Sequence, residues 1–196
     1  LFIEKIKQKR IALILSLLFS FSWAVCKIIF GVFSASYFFC VSGASTLLFG
    51  FIKKIYLKHH DIDDLDEKRG KSITIAILLT VSGILFTFYM ARLFFFPEAK
   101  TYGLVMSITI ATFSFAELVY SIVLFVKAKK TNDILLQTFK GCSLVSSCYA
   151  IVLTQVALRS AMKATTSFYN ALSGVFFGAV AIVIGQVLLV SALKFK

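Results

Sequence analysis

The sequence predicts an all-α polytopic membrane protein, a bundle of six transmembrane helices with both termini on the cytoplasmic side. Three observations lead there: an apolar content too high for a water-soluble core, six apolar runs of spanning length, and basic residues confined to alternate connections. Hydrophobic residues make up 59% of the 196-residue chain, charged residues 15%, and the mean hydropathy is +0.92. A soluble domain of this length still leaves roughly 30% of its chain surface in water. So apolar a composition requires lipid to cover that remainder.

A helix rises 1.5 Å per residue, so about 20 mostly apolar residues cross the roughly 30 Å hydrocarbon layer. The runs at about 11–33, 35–52, 73–96, 103–126, 134–158 and 168–193 meet that requirement and form one domain over residues 1–196. The first is too long for the apolar core of a cleavable signal peptide and is expected to remain as a helix. All six are too long for strands. The single proline, Pro97, falls in a connection, so no span is kinked by proline.

Ser34-Ala35 joins the first two spans tightly, whereas Lys53 to Lys71 forms a polar loop holding His59, His60, Asp61, Asp63, Asp64, Asp66 and Glu67. With the N-terminus inside, about fifteen Lys and Arg lie on the cytoplasmic side (Lys5 to Arg10, Lys53 to Lys71, Lys127 to Lys130, Lys194, Lys196). About four lie outside: Arg92, Lys100, Arg159 and Lys163. This asymmetry sets the orientation, with the plasma membrane as the expected location. The longest connection, about 20 residues, is too short to fold alone. The net charge of +12 sits in short clusters rather than on one continuous face, which argues against a nucleic-acid partner. The lipid bilayer is the partner that the composition demands.

The four cysteines, Cys26, Cys40, Cys142 and Cys148, fall inside spans without a CxxC pair or a nearby His, and read as buried thiols. There is no Gly-x-Ser-x-Gly elbow and no phosphate-cradling loop, so neither enzymatic activity nor a cofactor is expected. The run from His59 to Glu67 offers imidazole and carboxylate ligands for a divalent ion. It lacks the glycine and ligand order of a calcium loop, and a solvated connection is the simpler reading. Phe33, Tyr37, Phe38 and Phe39, with Phe94, Phe95, Phe96 and Tyr102, read as interfacial anchors.

Charges within spans are costly and therefore informative. Lys27, Glu117 and Lys140 are the deepest, Glu117 about 21 Å from the outer end of its helix and Lys140 about 9 Å from the cytoplasmic end of the next. A Glu117–Lys140 ion pair, or one with Lys27, would keep both groups charged, serving either structure or proton and ion coupling. Ser42 with Ser45, and Ser143 with Ser147, share helical faces and outline, with Glu117, a candidate polar cavity; the same hydroxyls would equally serve as interhelical glue. Gly174, Gly178, Ala181 and Gly185 recur at i, i+4, i+7 and i+11, a packing seam within the bundle or between two copies in a homodimer, or else a flexible gate.

Six spans, short outer hairpins, and inner loops after the second and fourth spans resemble the membrane domain of the cation diffusion facilitators. Lys27-xxx-Gly31 followed by Ser34-Ala35-Ser36 looks like that family's first hairpin. Lys130-Thr131-Asn132-Asp133 looks like the approach to its second metal-binding helix. The resemblance implies exchange of divalent ions for protons through two His/Asp-xxx-Asp pairs on the second and fifth spans. Those positions fall here at about Ser45 and Phe49, and at about Phe139 and Ser143, with Ser42 near an accessory acid. No Asp or His occurs in either span, and the family's metal-sensing domain has no counterpart in the sequence. The expectation is a bundle that has lost the ordinary ion site, with no metal bound, acting as a transporter-like or accessory protein. The alternative is a substrate-binding membrane subunit of a larger transporter, docking through Gly174 and Gly178. A scaffold acting through its basic loops on anionic lipid is a third class.

Overall fold

The computed structural model describes residues 37–59, 64–96, 104–131, 133–162 and 167–195 and scattered positions between 11 and 33, apart from the side chains at 37–39, 106, 110 and 160. Lys5 to Arg10, Lys27, Gly31, Ser34 to Ser36, His60 to Asp63, Pro97 to Tyr102, Asn132, Lys163 and Lys196 lie outside the described residues. The described residues fall on six helices, with no strand among them. These are α1, marked by helical positions between 11 and 33, then α2 (Tyr37–His59), α3 (Leu65–Arg92), α4 (Leu104–Lys129), α5 (Ile134–Ala161) and α6 (Ser167–Lys194).

Each of α2 to α6 contains a stretch long and apolar enough to cross a membrane: Cys40–His59, Leu65–Arg92, Ser107–Lys129, Ile134–Arg159 and Ser167–Lys194. Their outer faces are what lipid requires. Phe88 is 79% exposed, Val105 80% and Phe113 73%, an apolar surface that water does not tolerate over whole helix faces.

The polar segment after the second span is not one loop. α2 continues to His59 rather than ending near residue 52, and α3 begins at Leu65 rather than near 73. Asp64 caps α3, its side chain accepting from the Asp66 N–H at 3.0 Å, and Asp66 and Glu67 meet the positive end of the helix dipole. Lys53, Lys54 and Lys58 therefore ride on α2. Hydropathy marks where lipid ends, but helical hydrogen bonds are local and continue past that edge until a cap stops them.

The helices alternate in direction. α3 and α6 form the most extensive antiparallel pair, in which Thr80 meets Gly185, Gly83 meets Ile182, Thr87 meets Gly178 and Met90 meets Gly174. Arg69 closes one end by donating to the Leu193 carbonyl at 2.6 Å. α6 buries Ala171, Gly174, Gly178, Ala181, Gly185, Leu188 and Ala192, and the α3 residues that meet it are Thr80, Gly83, Thr87 and Met90. Both sets step by three and four residues, the period at which two helices keep one seam in contact along their length. The glycine seam of α6 is thus occupied by α3 of the same chain.

α5 lies at the centre, packed against α2, α3, α4 and α6. α4 meets it through Ser107, Ser114, Ser121 and Ala128, all buried and seven residues apart. α1 lies on α2, where Gly43 fits against Ala24 and Ile28, and Gly50 against Phe21. Phe49, Ile52, Leu79, Phe86, Leu135, Phe139, Tyr149 and Leu188 contribute to one continuous core.

Candidate functional site

Aromatic rings hold α2 against α5. Tyr56 stacks on Phe139 with centroids 4.3 Å apart and planes 7° from parallel. Two turns away along α2, Phe49 lies 5.9 Å from Tyr149, whose other neighbour is Phe86 of α3 at 4.0 Å. The Tyr149 hydroxyl and Ser82 Oγ are 3.5 Å apart. The second and fifth helices do face each other, and rings fill the space between them. Phe49 and Phe139 are 7% and 5% exposed.

These contacts position two cations. Lys53 precedes Tyr56 by one turn of α2, and Lys140 follows Phe139 on α5, both half-buried. Each stands six residues inside its helix end, about 9 Å along the axis. The charges of Lys140 and Glu117 both reach Lys53. Glu117 sits on α4, twelve residues or about 18 Å from Lys129, with its side chain on the helix surface. Three ionisable groups from three helices thus share one electrostatic neighbourhood within apolar spans. Lys27, the other expected cation, lies outside the described residues.

Hydroxyls line the adjoining α4–α5 contact. Ser121 Oγ and Ser147 Oγ are 2.8 Å apart, and Ser147 also reaches the carbonyls of Ser143 at 3.0 Å and Glu117 at 3.4 Å. Ser107 donates to the Ala157 carbonyl at 2.9 Å. Ser143, Ser147 and the Glu117 backbone therefore come together. By the antiparallel register of α2 and α5, Ser45 falls roughly one turn beyond the level of Ser147, and Ser42 roughly two. Both are partly buried.

Sequence reading did not single out Lys53 or Ser121. The seven-residue recurrence of Ser107, Ser114 and Ser121 is a readable signal for the second. Lys53 was assigned to a loop because its helix outlasts its apolar run.

His59 is buried, its ring Nδ1 2.8 Å from the Ile55 carbonyl and its Nε2 3.5 Å from Glu67 Oε1. The two ends of the His59–Glu67 run thus tie α2 to α3. No group of three or more His, Cys, Asp or Glu suited to a metal occurs among the described residues. Cys142 and Cys148 are buried, but Cys26 is exposed and Cys40 intermediate. The expectation of four buried thiols is corrected, because membership of a span does not say which face of the helix a residue occupies.

No protein-family model matches the chain, and a search of the curated proteins finds no match.

Proposed function

We propose that the chain is a transporter-like membrane protein that handles a small organic anion along α5. The observation that carries this is the electrostatic proximity of Lys53 to both Lys140 and Glu117 within apolar spans, where charges are retained for function or for pairing. Two ammonium groups favour an anionic solute, and Glu117 supplies an opposite charge in the same neighbourhood. The Ser121–Ser147 contact borders this group with hydroxyls that can exchange hydrogen bonds with a passing solute.

Kinship with the cation diffusion facilitators enters this reading as architecture alone. Two hydroxyls and two phenyl rings stand at the four ligand positions, a set without the imidazole or carboxylate that a divalent transition ion requires. The N-in, C-in orientation in a plasma membrane belongs to the same proposal. It is supported by the basic residues that end α2, α4 and α6 and begin α3, against Arg92 and Arg159 at the opposite end.

Purified protein reconstituted into vesicles and challenged with concentration jumps of organic anions tests the function. Solute-dependent currents are expected, and they should vanish in a folded Lys53→Met/Lys140→Met variant. Silence of the wild-type protein toward anions would remove the proposal. The substrate-capture alternative gains from Arg159, whose Nε is buried, whereas Arg92 is exposed. Binding without flux would favour it.

A further inference from the structure

α2, α4 and α6 run in the same direction and end on one side of the bundle. Each closes on the same surface pattern, an exposed apolar residue followed three or four positions later, on the same face, by an exposed lysine. Phe51 precedes Lys54 on α2, Val126 precedes Lys129 and Lys130 at the end of α4, and Val190 precedes Lys194 on α6. Lys58 and Lys127 are exposed as well. Lys129 Nζ stands 5.5 Å from the ring centre of Phe125, an ammonium held at the edge of apolar surface. The acidic side chains at this end turn to the protein itself. Asp64 and Asp133 cap α3 and α5, accepting from the Asp66 and Leu136 N–H groups at 3.0 and 3.1 Å, and Glu67 lies against His59. Asp66, exposed in the first turn of α3, is the remaining acid at this end among the described residues. Outside them, Glu4, Asp61 and Asp63 are outnumbered by Lys5, Lys7, Lys9, Arg10 and Lys196. Compensation of a helix dipole acts within the last turn, whereas Lys54 stands five residues before the end of α2, so the outward cations serve more than their own helices.

We propose that the ends of α2, α4 and α6 form a docking surface for anionic phospholipid. Lys54, Lys58, Lys127, Lys129, Lys130 and Lys194 meet the headgroup phosphates, and Phe51, Val126 and Val190 meet the acyl chains one turn deeper. Charge and depth together select this occupant: an anionic lipid offers negative charge and hydrocarbon in the order in which each helix presents lysine and apolar side chain, and free phosphate has nothing to set against the apolar half. Lysines near an anionic bilayer surface are drawn to it over about a Debye length. The surface faces away from the bundle, is separate from the half-buried Lys53 and Lys140, and does not depend on transport.

The test places the full chain in phosphatidylcholine vesicles doped with chain-spin-labelled phosphatidylglycerol or phosphatidylcholine, and electron spin resonance reads the fraction of each label slowed at the protein surface. At low salt the anionic label should associate about twofold or more in excess of the zwitterionic one, an average over the lipid shell of the attraction each lysine exerts. Near 1 M salt, where the Debye length falls to about 3 Å, the preference should approach parity. Replacing the six lysines with glutamine should bring it to parity at low salt, and Arg92→Gln, at the opposite end, should leave it in place. Parity in the wild-type chain at low salt, a preference that survives high salt, a preference retained in the folded six-lysine variant, or one lost in Arg92→Gln would each overturn the surface. The wild-type comparison of the two labels across salt stands even where a variant fails to fold.

Discussion

The ring of Tyr56 on α2 lies flat on that of Phe139 on α5, and each belongs to the buried core. This pair fixes the distance between the helices that carry Lys53 and Lys140. Truncating Phe139→Ala should cost about 3–5 kcal/mol as a large core deletion. A double-mutant cycle with Tyr56→Leu and Phe139→Leu should return a coupling of about 0.5–1.5 kcal/mol. Thermal melts in one detergent, followed by circular dichroism, read both values; strict additivity would show that the rings do not act as a pair.

Glycines on α3 and α6 should respond in opposite directions. A methyl group at Gly178 would run into Thr87 Oγ1 and stand 3.2 Å from the Thr87 Cα. Gly178→Leu should therefore destabilise by about 1–3 kcal/mol or more. At Gly70, within α3 and exposed, an added Cβ meets nothing within 4 Å. Gly70→Ala should stabilise by up to about 1 kcal/mol through helix propensity. Equal melting shifts at the two sites would contradict the packing described.

The Ser121–Ser147 contact should be worth little in itself. Interhelical hydrogen bonds in membranes average about 0.6 kcal/mol in double-mutant cycles, and Ser121→Ala with Ser147→Ala should couple on that scale. Ser147→Leu should do far more damage, since Ser147 is fully buried where α4 approaches α5.

Orientation is open to direct chemistry. In a cysteine-free background, a single cysteine replacing Phe95 should react with membrane-impermeant maleimide on intact cells, and one replacing Lys129 only after permeabilisation. The reverse pattern would invert the orientation and the side from which a solute reaches Lys53.

Lys53→Met alone should reduce solute-driven current more than Glu117→Gln, because the lysine meets the anion while the carboxylate only balances it. Equal melting temperatures in the two variants would separate this loss from misfolding. A larger effect of Glu117→Gln would point to a coupled proton instead.

Much of the bundle was legible in the residues. Spanning length, and the Gly174–Gly178–Ala181–Gly185 stripe, follow from composition and from 3.6-residue periodicity, both local properties. The partner of that stripe was not legible: the positions that meet it on α3 are Thr80, Gly83, Thr87 and Met90, a mixed set that reveals its seven-residue period only when set against α6. The extra turns of α2 and α3 were hidden for another reason. The run from Asp64 to Glu67 has the composition of a solvated loop, and only the cap geometry at Asp64 turns it into a helix start. Lys53 was misplaced with it, and a third charge was lost from the cluster seen at Glu117 and Lys140.

The α3–α6 clasp also bears on how the protein is made. Arg69 and Leu193 join across 124 residues of sequence, and Thr87 must find Gly178 after two intervening helices have emerged. At roughly 5–20 residues per second, α3 waits on the order of ten seconds with its glycine-bearing face unmatched. A nascent chain stalled before residue 167 would keep that face open to whatever insertion or quality-control factor reaches it first.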